Sequence, residues 1–109
     1  MLEHKALLTV VIITKNEESR LLPALESVSW ADEVIVLDDE STDSTCKLAE
    51  DFGARVIKRK MDVEGVHRNF GYAQAKNDWV LSLDADERVT LELRDEIIGL
   101  FKKDRKSVV

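Results

Sequence analysis

Cysteine is almost missing from this chain. Its 109 residues hold one, Cys46, beside two histidines, His4 and His67. A lone thiol excludes an internal disulfide framework, and with two imidazoles it falls short of the ligand set of a structural zinc site. Such usage fits a reducing cytoplasm. Basic charge is also short: 16 Lys and Arg stand against 22 Asp and Glu, leaving a net charge of −6. Sequence-independent nucleic-acid binding needs a basic face, so no nucleic-acid partner is expected. Acidity does not exclude a phosphate ligand, because a bound metal bridges two anions. Long apolar runs are absent too. The longest, Ala6–Ile13, is too short to span a bilayer, and no small-residue cleavage pattern follows it. A cytoplasmic place is expected, compatible with peripheral attachment at the inner face of the plasma membrane. Internal repeats, linkers and low-complexity segments are likewise missing.

What is present is enough for one modest domain over residues 1–109, with 44% hydrophobic residues available for a core. Ala6–Ile13 is β-branched and nearly all apolar, as in a strand buried on both faces. Pro23 suits the first turn of a helix whose apolar face is Leu21, Leu25 and Val28. Glu33–Leu37 predicts a second strand. Ser41–Thr45 opens a helix with Leu48, Ala49 and Phe52 inside and Gly53 as its left-handed cap. Ala54–Ile57 predicts a short third strand, and Lys58-Arg59-Lys60 after it is either a solvated strand end or a phosphate-facing run. Val66, Phe70 and Ala73 predict a helix over Glu64–Ala75. Trp79–Leu83 predicts a buried central strand, and Thr90 caps a last helix facing inward through Leu93, Ile97 and Leu100. This β-α alternation implies an α/β fold with a mostly parallel sheet, right-handed crossovers and helices on both faces.

Three strand ends carry the polar chemistry: Thr14–Glu18, Asp38–Glu40 and Asp84–Glu87. In a parallel sheet they share the carboxyl edge, where ligands bind. Asp84 and Asp86 are two residues apart, so an extended backbone places both carboxylates on one side. Convergent carboxylates repel unless a cation sits between them, and hard divalent ions such as Mg²⁺ or Mn²⁺ prefer such oxygen ligands.

Val10–Glu18 (V-V-I-I-T-K-N-E-E), Trp30–Asp38 (W-A-D-E-V-I-V-L-D), Ser41–Thr45 (S-T-D-S-T), Arg68–Gly71 (R-N-F-G) and Asp78–Glu87 (D-W-V-L-S-L-D-A-D-E) together resemble the family 2 glycosyltransferases. Among these the chain is similar to the bacterial branch that adds glucose or a related sugar to the lipopolysaccharide core. The likeness runs from Leu8 to Ile97, and its strength lies in the combination. It implies a Rossmann-like GT-A fold, the donor half of a transferase using a nucleotide-diphosphate sugar, with a UDP-linked donor favoured, and a divalent cation, Mg²⁺ or Mn²⁺. By that resemblance Thr14 and Glu17 line the nucleotide pocket, and Asp38 or Asp39 holds the uracil edge. Arg68 reaches the base or the diphosphate, Asp84 lies near the ribose or metal, and Asp86 binds the cation. The expected acceptor is a cell-envelope glycan or glycolipid.

Plainer roles compete for single residues. Glu17 and Glu18 suit first-turn helix acids, Asp43 a helix cap, His67 a surface helix position, and Tyr72 and Trp79 packing. Two departures from the family pattern D-x-G-S-T-D-G-T are Glu40 and Ser44 where glycine is usual; Glu40 also adds negative charge near the base pocket. Family members continue well past the D-x-D strand into the acceptor site and the base that deprotonates the acceptor. The expectation is therefore a donor half, with no catalytic base of its own, inactive alone and prone to self-association through uncovered apolar surface. Other β-α families fit less well. A receiver domain needs an acid pair after its first strand, a haloacid-dehalogenase-type phosphatase places D-x-D after the first strand, and a nucleotidyltransferase needs a Gly-rich loop there. A non-catalytic nucleotide-sugar-binding or assembly module is the remaining alternative.

Overall fold

A computed structural model describes residues 7–107, with side chains described through residue 101; Ala6 and His4 fall outside it. Four strands and four helices alternate: β1 Leu8–Thr14, α1 Leu21–Ser27, β2 Glu33–Asp38, α2 Thr45–Phe52, β3 Arg55–Lys58, α3 Glu64–Ala73, β4 Trp79–Asp84 and α4 Leu91–Ser107. The strands form one sheet in the order β3-β2-β1-β4, and every pairing is parallel. The expected Rossmann-like α/β architecture is therefore present.

Alternation along β1 builds two cores. Leu8, Val10 and Ile12 face α1, α2 and α4, meeting Leu21, Ala24, Leu25, Val28 and Ala49, with Ile97 and Phe101 packed on. Val11 faces the other way, with Ile35, Leu37, Ile57 and Phe70 under α3. The second layer is thin because α3 lies close: a Cβ on Gly71 would sit 3.1 Å from both Leu37 Cδ2 and Val11 Cγ1. Gly53 closes α2 with φ 104°, the left-handed cap expected of it. Thr90 caps α4, its Oγ1 accepting the Leu93 N–H at 3.0 Å.

Three expectations are corrected. β4 is not central: among the described residues it pairs only with β1, and Trp79 and Val80 at its start are 40% and 37% exposed. An apolar run marks a strand, yet periodicity alone does not separate an edge from the middle of a sheet; Trp79 is covered partly by Phe101, ring centroids 5.3 Å apart. The inward stripe of α3 is turned by one residue, burying His67 and Gly71 and leaving Val66 exposed. In α4, Ile97 and Phe101 meet the core while Leu93 and Leu100 are exposed. Among the described residues no helix is long and apolar enough to cross a membrane.

Candidate functional site

The sheet brings the carboxyl ends of β1, β2 and β4 together, with Thr14 opposite Asp38 and Ile13 opposite Asp84. Between them opens a cleft of about 310 Å³, lined by Ile13, Thr14, Lys15, Glu17, Asp39, Met61, Asp84, Ala85 and Asp86. Thr14, Glu17, Asp39, Asp84 and Asp86 thus meet at one place, whereas Asp38 and Arg68 are not among the lining residues.

Asp38 is turned inward and is 1% exposed. Its carboxylate accepts the Thr14 hydroxyl at 2.7 Å and the Ser41 amide at 2.8 Å, along with the Ser41 hydroxyl. Burial pushes its pKa up, but the hydrogen bonds from Ser41 and Thr14 outweigh that and leave the carboxyl below its ordinary range. The Cys46 thiol is pushed up to about 11 by burial and by donating to Asp38, so it is no nucleophile at neutral pH. Asp39, the next residue, faces the cleft. It accepts the Met61 amide at 2.9 Å and lies 3.6 Å from Lys15 Nζ. The D-x-x-S spacing of Asp38 and Ser41 was the available sign that Asp38 caps its own loop.

The loop after β1 is fastened to the loop after β2. The amides of Asn16, Glu17 and Glu18 donate to Ser41 Oγ, Thr45 Oγ1 and Asp43 Oδ2, and in return Asn16 and Glu18 accept the amides of Thr42 and Ser44. Asp43 thus serves both loops. Glu17 pairs with Arg20 at 2.6 Å. Glu40 stands at φ 52°, in the left-handed region that favours glycine, so the loop takes the shape expected of a glycine despite the side chain. Glu40 is exposed and outside the cleft lining, while Ser44 has an ordinary φ of −85°.

Of the basic run, none lines the cleft. Arg59 lies over Phe70 at 5.1 Å and meets His67 Nδ1 at 3.1 Å. His67 is fully buried, contrary to a surface position, and its Nε2 has no partner. Burial, then the Arg59 charge, hold its pKa below the ordinary value. A polar residue on the inward stripe of a helix leaves no mark in a hydrophobic pattern, so nothing in the sequence announced it.

On the third side, Arg68 reaches from α3 to β4. It donates to Asp84 Oδ1, Ser82 Oγ and Glu64 Oε2, each at 3.0 Å. Those carboxylates raise its pKa further. No set of three or more Asp, Glu, His or Cys converges on a metal position among the described residues. Asp84 and Asp86 do open onto the cleft together, and their donor chemistry fits a hard divalent cation whose remaining ligands come from phosphate oxygens and water.

An open parallel sheet with its cleft at the carboxyl edge defines a nucleotide-binding α/β protein of Rossmann-like type. Comparison with known proteins narrows this further. Residues 9–109 match the model of "Glycosyl transferase family 2", and the chain belongs to that family. A glycosyltransferase of Rickettsia typhi is 45% identical over 95 residues, covering 86% of this chain and 32% of that protein. The lipopolysaccharide core biosynthesis glycosyltransferase LpsC of Rhizobium meliloti is 29% identical over 107 residues, covering 84% and 40%. Among solved structures, glucosyl-3-phosphoglycerate synthase from Mycobacterium tuberculosis in complex with Mn²⁺, UDP and glucosyl-3-phosphoglycerate superposes with a TM-score of 0.67 at 27% identity, covering 76% of this chain and 36% of that one. The chain thus spans about a third of the length of the Rickettsia relative.

Proposed function

We propose that this chain is the donor-binding part of a glycosyltransferase that takes a sugar from a nucleotide-diphosphate sugar, UDP-linked, with Mg²⁺ or Mn²⁺. The observation that carries this is the charge of the cleft. Glu17, Asp39, Asp84 and Asp86 line it against the single cation Lys15. A diphosphate entering alone meets repulsion; a diphosphate arriving with a divalent ion completes the shell that Asp84 and Asp86 begin. The complex of the mycobacterial enzyme with UDP and Mn²⁺ supports the choice of ligand.

In this arrangement Asp39, held by the Met61 amide, offers a carboxylate to the edge of the base, while Thr14 and Glu17 form the pocket floor. Asp38 holds that floor in place from behind. Asp86 is the residue for the cation, and Arg68 is the charge near the diphosphate. When bound, the cation supplies positive charge where the leaving diphosphate gains negative charge. The acceptor in the whole enzyme is a cell-envelope glycan or glycolipid such as the lipopolysaccharide core, as the name of the Rhizobium relative suggests.

The test is a thermal-shift titration with UDP, with and without Mn²⁺, on the wild type and Asp86→Ala. Ligand at about 100 times its dissociation constant adds roughly 2.7 kcal/mol, on the order of 10 °C for a domain this small. A shift that needs Mn²⁺ and is lost in Asp86→Ala is expected. No shift with UDP or GDP at millimolar concentration rejects the nucleotide site.

A further inference from the structure

Asp84 and Asp86 share the cleft but differ in what already holds them. Arg68 donates to Asp84 Oδ1 at 3.0 Å, and it is itself fixed there by Ser82 Oγ and Glu64 Oε2, each at 3.0 Å. Ser82 and Asp84 are two residues apart on β4, so both project to the side from which α3 delivers the guanidinium. Asp86 takes part in none of the ion pairs among the described residues. The guanidinium gripped from three sides is preorganised, and little side-chain freedom remains to be lost in keeping it. A divalent ion approaching Asp84 must displace this resident cation or share the carboxylate with it at close range, against like-charge repulsion.

We propose that Arg68 acts as the resident counter-ion of Asp84 and withholds that carboxylate from a free divalent cation. A metal ion without nucleotide then finds, of this pair, Asp86 alone available, and binds weakly. This rests on the donor-site reading above for its consequence: the phosphates that accompany the ion offer Arg68 a second anionic partner, so that its release from Asp84 and completion of the metal shell occur together. Arg68 would thereby make cation binding conditional on the nucleotide.

The measurement is a titration of Mn²⁺ alone, followed by the electron-paramagnetic-resonance signal of the free ion, on the wild type, Arg68→Gln, Arg68→Gln with Asp84→Asn, and Lys15→Gln. Arg68→Gln should bind Mn²⁺ about tenfold more tightly than the wild type, as expected when one unit charge beside the carboxylate is lost in a partly screened site. Adding Asp84→Asn should abolish the gain. Lys15→Gln, which removes the same charge from the opposite wall, should give a much smaller gain. Arg68→Lys keeps a charge but cannot grip all three partners, and it should fall between wild type and Arg68→Gln. Circular dichroism of each variant checks that the fold is retained. Unchanged Mn²⁺ affinity in Arg68→Gln overturns the proposal, as does a gain that survives Asp84→Asn or is matched by Lys15→Gln. If Arg68→Gln behaves as expected while the wild type gives no shift with UDP and Mn²⁺, the counter-ion role stands and the nucleotide reading falls.

Discussion

Replacing Asp38 should unfold this domain far more readily than its place among the acids of a binding cleft would suggest. Its carboxylate is buried and serves the Thr14 hydroxyl and both the amide and hydroxyl of Ser41. Asp38→Ala removes the acceptor and leaves those donors in a site closed to water. Hydrogen bonds to a charged group are worth about 1.5–3 kcal/mol each, and a donor left unsatisfied costs roughly 1–3 kcal/mol. Relief of the desolvation of a buried charge offsets part of this. A net loss of about 3 kcal/mol follows, and at roughly 4–8 °C per kcal/mol in a domain near this size the midpoint should drop by about 15 °C. Asp38→Asn keeps one oxygen, and the two hydroxyls can turn to accept from its amide, so its loss should be about half as large. Thermal unfolding followed by far-ultraviolet circular dichroism at pH 7 reads both. Because the folded-state pKa of Asp38 is depressed, its contribution is complete above the ordinary carboxylate value and is lost as pH falls through the lower folded value. The gap between wild type and Asp38→Asn should therefore narrow below about pH 4. An Asp38→Ala midpoint within about 3 °C of wild type, less than 1 kcal/mol, would refute the inward-facing role.

His67 resists protonation in the fold and takes a proton freely when unfolded. Stability held above about pH 6.5 should thus decline as the pH is lowered toward 5. Urea unfolding of His67→Leu should show a flatter slope over that window, and an unchanged slope would place the decline elsewhere. Glu40 holds a left-handed φ of 52°. Glu40→Gly relieves roughly 1 kcal/mol of steric cost and returns part of it as chain entropy, so the midpoint should rise by about 2–4 °C; a fall would show that the side chain makes a favourable contact.

Much of this architecture was written in local patterns. The β-branched run of β1 and the E-V-I-V-L of β2 encode strands covered on both faces, and Gly53 and Thr90 punctuate helices where they should. The convergence of three strand ends follows from topology once the strands are known to be parallel. Other features depend on relations the pattern does not contain. Which of two adjacent carboxylates turns inward is decided by a hydroxyl on another strand, Thr14 against Asp38. Arg68 finds Asp84 and Ser82 across sixteen and fourteen residues of chain. His67 and Gly71 form the buried stripe of α3, though one is polar and the other has no side chain to read.

The outer position of β4 divides the cleft into halves of unequal permanence. The base side hangs on β1 and β2, each flanked by strands on both edges, and its two loops are stitched together by reciprocal amide bonds. The acid side hangs on a strand with one hydrogen-bonded neighbour among the described residues. Local opening takes such margins first. The carboxylates that await a cation thus sit at the end of an edge strand, one of the two margins of the sheet. A ligand spanning both halves would be felt less as a change of shape than as a loss of breathing at one rim.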